Sequence, residues 1–490
     1  MPGTDRRPGP GLGAAPATYP AGVDHAVARG WRPLRVLGAP GGALGALAAA
    51  SPAALSAAAL PPAGLPAATV GSVTVGWASA VTGGSDSSRP VADGGWLPAG
   101  PGLDLALPSA AATPSTLYAP RGVLLDPVAG RTRVIAADTG NHRLLVWPDL
   151  PDGDGADAAV VIGQPGPWSE GPQAGGRGPE RGLHLPTGLT RAGDLLLVAD
   201  AWNHRVLGYD AALDVEDPEP VWVLGQDDLT GVAANRGGDP DGSSLYWPFG
   251  VLWHDGWLWL ADTGNRRVLG WHGLPETTGA AGIGAGRRAA DVVLGQPTAH
   301  DRAENRGGEP AADSFRWPHQ LAVLDGVLWV ADAGNHRLLG WRLPVDGDRP
   351  ADLLLGQRSP TAAFELPHVP QGPSRVRFPY AVVAAGGGLL VGDTANNRVL
   401  GWSAPPSASL PGPGVMAGMP APEGISVASA ADAVLGQRDF DRAGENRWTG
   451  VAADTLCWPY GMSAATDARH GDVLAIADSG NNRVVVWHRP

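Results

Sequence analysis

The chain has 490 residues, 43% of them hydrophobic, so it is long enough to bury a substantial core. Its 48 acidic residues outnumber its 35 basic residues, all of them arginine, and the formal net charge is −13. This balance disfavours nucleic-acid binding through a general phosphate-neutralising surface. The single cysteine, Cys457, excludes an internal disulfide and leaves the redox compartment open.

The first 115 residues do not share the pattern of the rest. Residues 1–34 are interpreted as an N-terminal tail, in which charged residues interrupt the apolar core that an export signal needs. Residues 41–115 are rich in alanine, proline and glycine, and they are expected to form a poorly ordered insertion or a lid. Prolines break every apolar run there that could cross a bilayer. We therefore expect a soluble, cytoplasmic protein without a membrane partner.

An eleven-residue phrase recurs six times in the remainder of the chain. It reads ADTGNHRLLVW from Ala137 and ADTGNRRVLGW from Ala261, for example. A Pro-x-Gly element or a relative of it precedes each copy, and a short apolar run ending in Gly-Gln follows five of them. Each unit therefore holds four short apolar segments bounded by glycine, proline, asparagine or aspartate. This pattern predicts an array of blades, each of four antiparallel strands.

These marks resemble those of the NHL-repeat family. The matching text is Pro-x-Gly, then Leu-x-Val-Ala-Asp, then Asn-His-Arg followed by valine or leucine, and it covers roughly residues 117–490. The resemblance implies an all-β fold, a six-bladed β-propeller with four-stranded antiparallel blades. We place this propeller at residues 116–490.

The sixth unit lacks a Gly-Gln strand, because only three residues follow Trp487. An unpaired strand edge would be left there unless another segment supplies the strand. Residues 35–40, which read RVLGAP, resemble the VLGQP text that begins at Val293. We therefore predict that Val36 and Leu37 pair beside the last strand and close the ring. Residues 72–77, which read SVTVGW, are the rival closing strand.

Loop lengths distinguish the two faces of the predicted propeller. The distance from the Gly-Gln glycine to the next proline is constant, for example from Gly225 to Pro248, whereas the connection between the third and fourth strands varies in length. The constant connections share one face with the Asp-x-x-Asn-x-Arg turns, and we call this the fixed face. The three Asn-Arg pairs in its long loops, at Asn235, Asn305 and Asn446, are interpreted as turn formers, with a polar rim for a partner as the alternative.

The residue after the proline of each unit opens the innermost strand, on the fixed face and around the central channel. Because this position tolerates different residue types, it is the candidate ligand-binding site. The six residues are expected to surround one axial opening: Arg121, Thr187, Phe249, His319, Tyr380 and Tyr460. A solvated channel mouth without a ligand is the alternative interpretation.

The Asp-x-x-Asn-x-Arg turns are interpreted as structural, because aspartate and asparagine satisfy backbone groups in tight turns and arginine can tie a turn to its carboxylate. Six copies at six positions around an axis cannot serve one site. The eighteen residues are Asp138, Asn141, Arg143, Asp200, Asn203, Arg205, Asp262, Asn265, Arg267, Asp332, Asn335, Arg337, Asp393, Asn396, Arg398, Asp478, Asn481 and Arg483. His142, His204 and His336 occupy one equivalent position in three turns and are interpreted as surface residues, not as metal ligands.

The sequence contains no glycine-rich phosphate loop, nucleophile elbow or metal-spaced Cys/His set. We therefore assign no catalytic residue, cofactor or metal. The preferred hypothesis is a binding or scaffold module that engages a protein or peptide through the fixed face, and a small-molecule ligand stays open. An alternative is a lyase or hydrolase acting at the channel mouth, with His319, Tyr380 and Tyr460 for acid–base chemistry and Arg121 for anion binding. RNA binding is a third hypothesis, which the net charge disfavours.

Overall fold

The computed structural model describes residues 29–38, 111–275, 284–365, 371–406 and 425–489. Six sheets, each built on four antiparallel strands and two of them with a fifth, parallel strand, form a closed ring. The innermost strands of neighbouring sheets contact one another around the axis. The predicted fold class is confirmed: the protein is a six-bladed β-propeller. Among the described residues, no helix is long and apolar enough to cross a membrane.

Each blade is built from consecutive short strands, named here from the innermost to the outermost. Blades 1 and 2 contain β2 Gly122–Val128, β3 Arg131–Asp138, β4 Arg143–Trp147 and β5 Val160–Ile162, then β6 Pro186–Ala192, β7 Leu195–Asp200, β8 Arg205–Asp210 and β9 Pro220–Leu224. Blades 3 and 4 contain β10 Pro248–His254, β11 Trp257–Asp262, β12 Arg267–His272 and β14 Val292–Leu294, then β15 Pro318–Leu324, β16 Val327–Asp332, β17 Arg337–Arg342 and β18 Leu353–Leu355. Blade 5 contains β19 Pro379–Ala385, β20 Gly388–Asp393, β21 Arg398–Trp402 and β23 Ala433–Leu435. Alternating apolar residues of adjacent sheets interdigitate between the blades, as packed sheets require.

Blade 6 is closed by the N-terminal strand. It consists of β24 Pro459–Asp467, β25 Gly471–Asp478, β26 Arg483–Arg489 and, at its outer edge, β1 Arg32–Leu37. Val36 lies opposite Val485 and Leu37 opposite Val484, so the predicted closure is confirmed. The rival strand at residues 72–77 and most of the predicted insertion at 41–115 lie outside the described residues, and the proposed domain boundaries stay a prediction.

The innermost strands approach each other so closely that glycine is required at their contacts. A Cβ atom on Gly122 would lie 1.8 Å from the carbonyl oxygen of Thr187 in the next blade. A Cβ atom on Gly461 would lie 2.5 Å from the carbonyl oxygen of Arg121, across the junction between blades 6 and 1. At these junctions the glycine of the Pro-x-Gly element is therefore a packing requirement.

Two long connections between the third and fourth strands add a strand to the preceding blade. Strand β13, Gly284–Gly286, leaves blade 3 and pairs in parallel with β9 of blade 2. Strand β22, Ser426–Val427, leaves blade 5 and pairs in parallel with β18 of blade 4. In blade 1 the same connection caps β1, because the backbone N–H of Gly155 donates to the carbonyl oxygen of Val36 at 3.0 Å. These connections cover the outer edges that a propeller would otherwise expose.

Candidate functional site

The Asp-x-x-Asn-x-Arg turns are buried and form ion pairs. In blade 3, Oδ2 of Asp262 accepts hydrogen bonds from Nε of Arg267 and from Nδ2 of Asn265, both at 2.8 Å. The other guanidinium nitrogens of Arg267 donate to backbone carbonyl oxygens of the fixed-face loops, among them Ser244 at 2.9 Å. The equivalent Asp–Arg ion pair is present in every blade. The turn therefore ties two strands of its own blade to two long loops.

The histidines of these turns join neighbouring blades. Nδ1 of His204 accepts the backbone N–H of Trp247, the residue before the proline of the next blade, at 3.1 Å. His142 and His336 accept equivalent N–H groups, and in the last two blades the side chains of Asn397 and Asn482 do so. Their interpretation as surface residues was wrong for His336, which is 3% exposed, whereas His142 and His204 are partly exposed. Sequence periodicity did not show that an acceptor is required at this position. We call this contact the interblade bridge.

Blade 3 carries Arg266 at the bridge position, and an arginine side chain has no acceptor. The local geometry changes accordingly. The residue before the proline has a positive φ where a bridge is present, for example 53° at Trp247, but Trp317 is not among the residues with positive φ. The N–H of Trp317 instead lies 3.4 Å from Oδ1 of Asp332. The side chain at the bridge position therefore controls the conformation at the start of the next innermost strand.

The interblade bridges predict a loss of stability in acid. Burial lowers the pKa of His142 to about 3 and those of His204 and His336 to about 4, from an ordinary value of 6.5. Because the unfolded chain takes up these protons first, the histidines' contribution to stability is complete above pH 6.5 and is lost as the pH falls towards 4. Urea unfolding of the wild type and of a triple His→Asn variant should show a difference that grows over this range. Equal pH dependence of the two proteins would contradict the bridge.

The six residues of the predicted ring meet at the axis, and most of them pack on one another instead of lining an opening. The ring centroids of Tyr380 and Tyr460 are 4.5 Å apart, and those of His319 and Tyr380 are 4.4 Å apart. Phe249 contacts His319 at 4.3 Å. These four side chains are at most 4% exposed, and we call them the axial plug. Thr187 is also buried and donates to the carbonyl oxygen of Phe249, whereas Arg121 is partly exposed. Ligand binding by this set stays a prediction.

A glutamine also closes the axis. Gln320 stands where four other blades have the glycine of Pro-x-Gly, and its side chain reaches the innermost strand of blade 6. Its Nε2 donates to the carbonyl oxygen of Met462 at 2.6 Å, and its Oε1 accepts the backbone N–H of Met462 at 3.1 Å. The amide therefore pairs with the edge of β24 as another strand would. The role of Gln320 was not predicted. The sequence shows only that glutamine replaces the glycine of the repeat, and it does not show which residue the side chain contacts.

Partly buried aromatic side chains border the axial plug on the fixed face. They are Trp202, Trp247, Trp317, Phe378 and Trp458, and we call them the aromatic girdle. Four of them directly precede the proline that opens a blade. Trp202 occupies a turn position that is glycine in four blades and alanine in one. Trp247 packs edge-to-face against Trp202, and Trp317 stacks on Phe378, both with centroids 6.2 Å apart.

The long fixed-face loops carry three strongly exposed aromatic residues. Trp168, Phe364 and Trp448 are 73%, 74% and 82% exposed. Each lies in a connection between a Gly-Gln strand and the next proline. In contrast, the described residues contain no group of three or more histidine, cysteine, aspartate or glutamate side chains that could hold a metal ion. The candidate site therefore consists of the aromatic girdle and the exposed loop aromatics, which surround an axis filled by the axial plug.

One part of the chain matches a family model directly: residues 315–341, in blade 4, match the NHL repeat. Together with the six-bladed ring and the six aligned turns, this match supports an NHL-repeat propeller.

Solved structures similar to this propeller include streptogramin B lyase, at 10% identity, covering 76% of this chain and 94% of that one, with a TM-score of 0.37. A Bacteroides thetaiotaomicron protein of unknown function shares 12% identity and covers 76% and 70% of the two chains, with a TM-score of 0.40. The WD40 propeller domain of Doa1 shares 10% identity and covers 76% and 79%, with a TM-score of 0.34. At these TM-scores the likenesses carry no argument about function. No curated protein matches this chain.

Proposed function

We propose that this propeller is a non-enzymatic binding or scaffold module, which acts in the cytoplasm and engages a protein or peptide through its fixed face. The observation that carries the proposal is the concentration of aromatic side chains on that face. The aromatic girdle surrounds the axis, and Trp168, Phe364 and Trp448 project from the loops around it. Aromatic side chains that together form an extended apolar surface on one face mark an interaction site, whereas singly scattered ones do not.

The chemistry of this surface suits a polypeptide. Tryptophan and arginine dominate the binding energy of protein interfaces, because both offer large contact areas and directional donors. Here Arg316 lies over the ring of Trp317, with its Cζ 5.0 Å from the ring centroid. Nε1 of Trp458 donates to Glu445 at 3.3 Å, so its ring plane is held in place. Because the fixed-face loops have a constant length, the residues directly before the prolines, such as Trp317 and Trp458, lie at equivalent positions in their blades.

A displayed library of random peptides tests the proposal, because it offers the fixed face many partner sequences at once. Peptides selected on the wild type should bind a variant with Trp168, Phe364 and Trp448 all changed to alanine at least about tenfold more weakly. The matched control is Val215→Ala with Val221→Ala, since these residues are 55% and 43% exposed but lie on the outer part of blade 2. Selected peptides that bind the triple variant as tightly as the control would contradict binding through this face.

A lyase or hydrolase at the channel mouth stays the alternative, but no contact favours it. Nδ1 of His319 lies 2.8 Å from the carbonyl oxygen of Trp317, and the imidazole is buried inside the axial plug. Burial lowers its pKa to about 3, so the ring is neutral near pH 7. A general acid or base must reach its substrate, and this side chain is enclosed by other rings.

A further inference from the structure

A recess of about 310 Å³, which includes its open mouth, lies on the propeller axis next to the axial plug. Its walls come from the innermost strands of five blades: Arg121, Gly122, Val123, Gly188, Leu189, Phe249, Gly250, Val251, Gln320, Gly461 and Met462. Most of these are glycine or apolar residues, and no aspartate or glutamate lines the recess. The amide of Gln320 is already occupied by Met462. Arg121 is therefore the only charged residue in the walls.

The guanidinium of Arg121 has few interaction partners among the described residues. Its Cζ lies 4.9 Å from the ring centroid of Tyr460, which supplies a cation–π contact. Its Nε is buried and has no hydrogen-bond partner. Within the described residues the side chain forms neither an ion pair nor a hydrogen bond, whereas Arg133, in the same blade, pairs with Asp126. A buried donor without an acceptor commonly marks the place of a water molecule or an ion.

The electrostatic surroundings favour an anion at this point. The nearby imidazole of His319 is neutral, because burial and then the charge of Arg121 lower its pKa to about 3. The guanidinium thus places an isolated positive charge in a partly desolvated site. A charge in such a site is stabilised by an opposite charge more strongly than it would be in water. The planar guanidinium also matches the two oxygens of a carboxylate.

We propose that this recess is a binding site for a carboxylate group, with Arg121 as the residue that pairs with it. The apolar walls at Val123, Leu189 and Met462 suit a methyl or methylene group beside the carboxylate. The carboxylate comes either from a small free acid or from an acidic side chain of a peptide. None of the aromatic girdle residues or exposed loop aromatics lines this recess, so the proposal goes beyond the binding function proposed above.

Titration with acetate and propionate, followed by the chemical shifts of the indole and backbone signals, tests the free acid. Acetamide has nearly the same shape without the charge, and it should bind at least about tenfold more weakly than acetate. Arg121→Gln, which keeps the length of the side chain, should weaken acetate binding by a similar factor. Arg121→Lys should retain part of the affinity, because it keeps the charge but loses the planar fork. The matched control is Arg131→Gln, an exposed arginine of the same blade, which should bind as the wild type does.

A tripeptide with a central glutamate and blocked ends, compared with its glutamine counterpart, tests the second source. A loss of glutamate-peptide binding in Arg121→Gln, without acetate binding, would assign the site to a peptide side chain and still support carboxylate recognition. Equal binding of acetate and acetamide, or wild-type binding of both probes by Arg121→Gln, would overturn the proposal. If Arg121→Gln does not fold, the Arg121→Lys result and the acetate–acetamide comparison decide. The peptides selected on the fixed face need not respond to Arg121, so the two proposals can fail separately.

Discussion

Deleting residues 1–38 is expected to unfold the propeller cooperatively, because the deletion removes β1 from blade 6. Val36 packs in the core between blades 5 and 6, and Leu37 packs with Leu117 and Val484 between blades 6 and 1. Burial of each such side chain contributes about 1.5–3 kcal/mol, and β26 would also lose its hydrogen-bonded neighbour. The summed loss is comparable with the whole stability of a typical domain, about 5–15 kcal/mol. Thermal unfolding followed by circular dichroism measures it.

The control for this experiment is deletion of residues 1–28, which keeps β1 intact and should leave the melting temperature nearly unchanged. A second variant, Leu37→Ala, tests the strand without truncation. Because Leu37 is fully buried, this change should cost about 2–5 kcal/mol in urea unfolding. A protein without residues 1–38 that melts like the full chain would show that blade 6 does not depend on β1.

Asp262→Ala is expected to destabilise the propeller by about 3–5 kcal/mol, since it leaves the buried guanidinium of Arg267 without its carboxylate. The change also removes the acceptor of Asn265 and of the backbone N–H of Tyr246. Chemical denaturation of this variant, of Arg267→Met and of the double variant forms a thermodynamic cycle. The two single changes should not be additive, because either one breaks the same ion pair.

A surface carboxylate provides the comparison for that cycle. Asp439 pairs with Arg442 in an exposed loop, and Asp439→Ala should cost less than about 1 kcal/mol. If Asp262→Ala lowered the free energy of unfolding as little as Asp439→Ala, the buried ion pair of the turn would not stabilise the blade as its geometry indicates.

The repeated text made the architecture predictable, because both the strands and their boundaries recur in register. It also predicted the closing strand, since Val36 and Leu37 occupy the place of a Gly-Gln segment that the sixth unit lacks. Departures from the repeat were harder to interpret. Gln320 and Trp202 each replace a small residue, and their contacts with other blades depend on distances that a single sequence does not contain.

The sequence predicted where the candidate site lies, but not that side chains fill the axis there. The alignment of the units brought the six ring positions to one axis, yet it gave no measure of the axial width. Phe249, His319, Tyr380 and Tyr460 are large enough to meet one another and fill the space. The strands β13 and β22 were missed for a different reason, since each pairs with a blade other than its own and has only two or three residues.

Because of strands β13 and β22, two blades depend structurally on the blade that follows them in the chain. Blade 2 is completed by residues that belong to blade 3, and blade 4 by residues that belong to blade 5. Cutting or shortening one of these connections therefore damages a neighbour whose own sequence is intact. Blades 3 and 5 thus each protect the outer edge of the blade before them.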